Sequence, residues 1–69
     1  MASEQVWVVA ACFNEAEVIG AFIDRVMALP EVDHLLLIDD GSSDATVAVI
    51  RDWQRSLSLI HISEPTRPY

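Results

Sequence analysis

Leu35-Leu36-Leu37-Ile38 runs straight into Asp39-Asp40-Gly41-Ser42-Ser43-Asp44. Four consecutive large aliphatics, then two carboxylates, a glycine, two hydroxyls and a third carboxylate, leave a chain few options. An apolar run this short, bounded by turn chemistry, predicts a strand covered on both faces, the usual state in a parallel sheet. The carboxyl end of such a strand is where polar groups can meet a ligand, and ligands of open α/β sheets bind at that edge. Asp39 and Asp40 stand there, and Gly41 supplies the turn that frees them. Two adjacent carboxylates in that position favour function over a passive role.

The flanking segments fit the same plan. Val6-Trp7-Val8-Val9-Ala10-Ala11 is short, apolar and rich in β-branched residues, which predicts a first buried strand. It runs into Cys12-Phe13-Asn14-Glu15, where Asn14 suits a helix N-cap and Glu17 falls at capping-box spacing. Val18, Ile19, Phe22, Ile23, Val26 and Met27 then recur at helical spacing, and Leu29-Pro30 ends the helix. Strand, helix and strand make a βαβ unit with a right-handed crossover. Parallel strands put their carboxyl ends on one side, so Phe13 to Glu15 and Asp39 to Asp44 converge in one cleft. Ser43 or Asp44 suits the cap of a second helix, with Val47, Ile50 and Trp53 as its apolar stripe and Arg51 and Arg55 toward its C-terminal end. Trp7 and Trp53 read as packing residues. The architecture expected is an α/β fold, a βαβα fragment of a doubly wound parallel-sheet domain.

Composition narrows the partners. At 69 residues the chain is one small domain at most. Its single cysteine, Cys12, rules out an internal disulfide and reads as a small buried hydrophobe. A formal charge of -7 without any lysine argues against nucleic-acid binding through phosphate contacts. An acidic protein still binds anionic phosphates when a divalent cation intervenes. Met1-Ala2-Ser3-Glu4 lacks a basic signal-peptide region, and no apolar run nears the roughly 20 residues of a membrane span. The expectation is a cytoplasmic chain with no membrane span in these residues.

Residues 6–56 resemble the amino-terminal nucleotide-binding part of the family 2 glycosyltransferases, which have a Rossmann-like GT-A fold. Ala11-Cys12-Phe13-Asn14-Glu15 is similar to the family's Pro-Ala-Tyr-Asn-Glu, and Asp39-Asp40-Gly41-Ser42-Ser43-Asp44-Ala45-Thr46 to its Asp-Asp-Gly-Ser-x-Asp-Gly-Thr. The dolichol- and polyprenyl-phosphate sugar synthases look like the nearest branch. Ala11 departs from the common proline and Ala45 from the common glycine, and neither change removes a charge. The resemblance implies a nucleoside-diphosphate-sugar donor lying across Ala11, Phe13, Glu15, Ile38, Asp39 and Asp40. A carboxylate only accepts hydrogen bonds, and uracil and guanine present ring N–H donors, so Asp40 suits a base reader. Ile38 flanks the base with its backbone. Phe13, in the tyrosine slot, stacks on the base or walls it. Glu15 accepts from ribose hydroxyls or else favours the positive end of the first helix. Asp39 is better suited to holding the turn. Asp44 reads as a helix cap, and Gly41, Ser42 and Ser43 as turn formers first.

The resemblance also implies what lies elsewhere. The family binds a divalent cation, magnesium or manganese, at a later Asp-x-Asp, and this sequence contains no Asp-x-Asp. The base that activates the acceptor also lies later, so these residues are expected to bind a donor without transferring its sugar. The acceptor implied by the nearest branch is a polyprenyl phosphate, and the intact protein would work at the cytoplasmic membrane face. From Leu57 the character changes. Leu57 to Arg67, LSLIHISEPTR, resembles the translation of a transposase adapter used in sequencing libraries. The chain therefore divides into a native part, 1–56, and an adapter-like tail, 57–69; the competing reading of the tail is a third strand. His61, within it, is no catalytic candidate. Two other classes compete with the enzyme reading. A receiver-like signalling domain puts its acidic pair after the first strand, whereas here it follows the second. A non-catalytic nucleotide-binding or interaction module remains the other. No G-x-G-x-x-G follows the first strand, which disfavours a nicotinamide-binding domain.

Overall fold

A computed structural model describes residues 4–64. The elements run β1 (Trp7–Cys12), α1 (Ile19–Met27), β2 (His34–Asp39), α2 (Thr46–Ser56) and β3 (Ile60–Ser63). All three strands are parallel, and β2 lies between β1 and β3. The fold is the expected α/β arrangement with one strand more than the βαβα outline.

Alternation along the strands sorts the side chains into two layers. Val8, Ala10 and Cys12 of β1 sit beside Leu35, Leu37 and Asp39 of β2, and Leu35 and Leu37 beside Ile60 and Ile62 of β3. These apolar residues gather with Ile19, Ile23 and Val26 of α1 and Ile50 of α2 into one core. Ile23, Leu35, Leu37 and Ile50 are fully enclosed. Each such side chain contributes about 1.5–3 kcal/mol on leaving water, so the core dominates the stability of the sheet. The opposite face carries Trp7, Val9, Ala11, His34, Leu36, Ile38 and His61. Trp7 and Val9 there are 46% and 58% exposed.

The helices meet closely at Gly20, where a β-carbon would come within 3.3 Å of Trp53 Nε1. Of the predicted α1 stripe, Ile19, Ile23 and Val26 are buried, while Val18 and Phe22 lie at its exposed margin. The helix begins at Ile19, later than Asn14 capping would require. Its N-cap is Val18, with no side-chain cap bond. Glu15 instead starts the turn through its carbonyl, which accepts from the amides of Val18 (3.0 Å) and Ile19 (2.8 Å).

The tail set apart in the sequence reading does form a strand over Ile60–Ser63. Its alternation explains why: Ile60 is buried at 2% exposure and Ile62 packs against the same core. Gln54 Nε2 donates to the Ile60 carbonyl (3.0 Å), and Arg51 pairs with Glu64. Residues 65–69, the end of that tail, and the first three residues lie outside the described residues.

Candidate functional site

β1 and β2 end level with each other, Cys12 being the register partner of Asp39. The Asp40 amide continues the ladder by donating to the Cys12 carbonyl (3.0 Å). Phe13 and Asp40 therefore leave the sheet side by side. Phe13 is 55% exposed and Asp40 is exposed beside it. Ala11 and Ile38 are also register partners, immediately inside that edge and on the face away from the helices. Four of the six residues expected to meet a ligand are thus brought to one edge.

The two adjacent carboxylates have separate surroundings. Asp39 points into the helical side and is only 5% exposed. Its Oδ2 accepts from the amides of Gly41 (3.2 Å) and Ser42 (3.0 Å), and its Oδ1 accepts from the Ser42 hydroxyl. A buried carboxylate needs such donors, and here the turn supplies them. Gly41, at φ 83°, takes the left-handed conformation that closes this turn, which a glycine adopts without a β-carbon clash. Asp39 is a turn holder, as the sequence suggested.

Glu15 is half-buried and turned back on its own loop. Its Oε1 accepts from the Phe13 amide (3.2 Å) and its backbone amide donates to Thr46 Oγ1 (2.8 Å). Between β1 and the start of α1, Glu15 and Ala11 help line an apolar cleft of about 210 Å³ with Ala10, Val18, Ile19, Phe22 and Leu37.

The two loops are stitched together by polar side chains. Asn14 was expected to cap a helix; at φ 50° it caps the neighbouring loop instead. Its Oδ1 accepts from the amides of Ser43 (2.8 Å) and Asp44 (3.3 Å), while its own amide donates to Ser42 Oγ (2.9 Å). Asp44 spans both loops: Oδ2 accepts from Ala16 N (3.2 Å), and Oδ1 from Thr46 N (2.9 Å) and from the Thr46 hydroxyl. Thr46 opens α2, but its N-cap is Ala45 with no side-chain cap bond, so Asp44 stands one residue before the cap position that the sequence suggested for it and reaches the first helical amide from there. The hydroxyl bond from Thr46, with the amide bonds, holds the Asp44 carboxyl below the usual carboxylate range.

Thr46 is fully buried, and sequence reasoning assigned it no role. The signal was its place at the end of the second motif. Cys12 is buried as expected; burial, then the nearby Asp39 and Glu15 carboxylates, push its thiol up to about 11. Such a thiol is a packing group rather than a nucleophile.

What the edge offers is an aromatic face, an exposed carboxylate and a short apolar wall on a braced backbone. That set suits a flat heteroaromatic ring bearing N–H donors. It does not suit a metal: among the described residues no group of three or more His, Cys, Asp or Glu is placed to hold one. Among the same residues no helix is long and apolar enough to cross a membrane.

Comparison with known proteins agrees with this fold. The profile of Glycosyl transferase family 2 matches residues 7–67. A solved structure of the mannosyltransferase PcManGT from Pyrobaculum calidifontis, in complex with GDP-Man and Mn2+, has a similar fold with a TM-score of 0.74. The match is 21% identical and covers 94% of this chain but only 21% of that one. No curated protein sequence matched the chain.

Proposed function

The chain belongs to glycosyl transferase family 2, and from that membership we propose that it forms the donor-nucleotide-binding front of a glycosyltransferase. The intact enzyme would move a sugar from a nucleoside diphosphate to an acceptor, with a polyprenyl phosphate as that acceptor, at the cytoplasmic face of a membrane. The observation that carries this reading is the exit of Phe13 and Asp40, side by side, from level parallel strands. Asp40 accepts from the ring N–H of the base, Phe13 lies against its plane, and Ala11 and Ile38 wall it. On binding, Glu15 turns from the Phe13 amide to accept from a ribose hydroxyl, and Asp39 holds the turn that presents Asp40. A mannosyltransferase of similar fold was solved with GDP-Man, which supports a nucleotide-sugar partner.

The divalent cation and the base that activates the acceptor belong, in this reading, to parts of the intact protein outside these 69 residues. The chain then binds a donor without transferring its sugar. A titration with GDP, UDP and ADP, read by calorimetry, tests the proposal. Guanine and uracil offer a ring N–H where adenine offers an acceptor nitrogen, so GDP and UDP bind and ADP binds more weakly. Asp40→Asn removes a charged acceptor, which lowers GDP and UDP affinity by about 10- to 100-fold. Equal affinity for all three nucleotides, or an Asp40→Asn chain that binds as before, refutes it.

A further inference from the structure

Far from the ligand edge, at the amino ends of the strands, Trp7, His34 and His61 meet on the face not covered by helices. Each comes from a different strand, and the register fixes their backbones: Trp7 is the partner of His34, and His61 the partner of Leu36. His34 Nδ1 and His61 Nε2 lie 3.1 Å apart. The Trp7 indole stacks on both imidazoles, with centroids 4.2 Å from His34 at 17° and 4.9 Å from His61 at 26°. Both histidines are half-buried.

We propose that His34 and His61 form a two-donor clip for a late first-row divalent cation (zinc, nickel or copper), with water completing its shell. Donor chemistry selects the ion, since imidazole nitrogen suits these metals whereas magnesium and manganese prefer oxygen. Geometry fits as well. Two nitrogens 3.1 Å apart, each about 2.0–2.1 Å from one ion, subtend roughly 100° at it, close to tetrahedral and octahedral angles. The rings thus reach a metal by small rotations, without strand movement. A metal needs the lone pairs of both facing nitrogens, so the tautomer that places each ring N–H on the outer nitrogen is the one that binds, and a neutral ring reaches it by exchange through solvent without net proton loss. Trp7 stacks against both rings and restricts their rotation, and the uncovered face gives the ion its way in. The chain's formal charge of -7 draws cations toward it. Only two protein donors take part, so the clip is weaker than a closed structural zinc site.

The clip stands apart from the donor-nucleotide reading, and its test is separate. Zinc sulfate is titrated into the 15N-labelled 69-residue chain and the histidine ring nitrogens are followed by NMR. In parallel, nickel quenching of tryptophan emission is measured in Trp53→Phe, which leaves Trp7 as the only tryptophan. The expected result is that both imidazoles shift together and saturate at one zinc per chain, that nickel quenches Trp7, and that His34→Ala and His61→Ala each lose the site. Magnesium at the same concentration produces neither signal. Movement of a single imidazole, undiminished zinc affinity in either alanine variant, or an equal response to magnesium overturns the proposal. If a variant unfolds by circular dichroism, the paired ring shifts in the unaltered chain decide alone.

Discussion

Asn14 offers the sharpest test of how the candidate site is held. It combines two requirements that different substitutions separate: a left-handed backbone, φ 50°, and a side-chain oxygen that accepts from Ser43 N and Asp44 N. Asn14→Gly meets the first and loses the second. Asn14→Ala loses both. Each lost hydrogen bond costs about 0.5–1.5 kcal/mol, and the lower half of that range applies because the position is exposed and water replaces part of it. Two bonds together then come to about 1–2 kcal/mol. A β-carbon in the left-handed region adds about 1 kcal/mol, which Asn escapes through its local hydrogen bonding and Gly through its lack of a side chain. Asn14→Gly should therefore cost about 1–2 kcal/mol and Asn14→Ala about 2–3 kcal/mol. For a 69-residue chain either loss is large, since folded domains typically hold only about 0.05–0.15 kcal/mol per residue.

Urea unfolding of the three chains, followed by circular dichroism, gives the two differences. Amide hydrogen exchange at Ser43 and Asp44 shows where they arise, since both amides should lose protection in both variants while Leu35 and Leu37 in β2 lose only the global share. Two results would refute the reasoning. An alanine variant more stable than the glycine variant would mean the left-handed backbone costs less than the unfolded-state freedom that a glycine adds. Unchanged protection of Ser43 and Asp44 would mean the Asn14 oxygen does not brace the second loop.

Thr46→Val keeps the shape of a buried side chain but removes the hydroxyl that accepts from Glu15 N and donates to Asp44. The stranded amide costs about 1–3 kcal/mol in urea unfolding, and a loss under 0.5 kcal/mol would sink the assignment. Cys12 has a folded pKa raised to about 11, so the native state holds a proton that the unfolded state releases above about 9. Its stabilising share is complete below pH 9 and fades as pH rises toward 11. Thermal melts at pH 7 to 10 should show a steeper alkaline decline for the unaltered chain than for Cys12→Ala; parallel declines would contradict the shift.

Much of this was legible in the residues. The strands announced themselves because β-branched and aliphatic runs have no other way to bury themselves, and Gly41 sat where the turn demanded it. The division of the loops did not show. Asn has one chemistry, an acceptor oxygen beside a backbone that tolerates positive φ, and that chemistry serves a helix end or a neighbouring loop equally well. Only the three-dimensional approach of Ser43, 29 residues away, decides which amide it meets. Thr46 was hidden for the same reason, since its hydroxyl answers an amide 31 residues back. The third strand was concealed by the unusual look of its segment, although Ile60 and Ile62 already alternated toward a core.

The adjacent carboxylates show why local reading reached the right edge without resolving it. A strand that ends in Asp-Asp points its two side chains to opposite sides, and the helices cover one side only. The residue on the helical side, Asp39, must be satisfied within the fold, and the turn amides of Gly41 and Ser42 satisfy it. The other, Asp40, stands exposed beside Phe13 at the end of the central strand, with β1 and β3 flanking it. One carboxylate therefore fixes the turn and the other is presented by it. The pair is adjacent in sequence, so one strand end both holds its turn through Asp39 and exposes a carboxylate at Asp40. Losing Asp39 would remove the acceptor that the Gly41 and Ser42 amides and the Ser42 hydroxyl share, and with it the turn that carries Asp40.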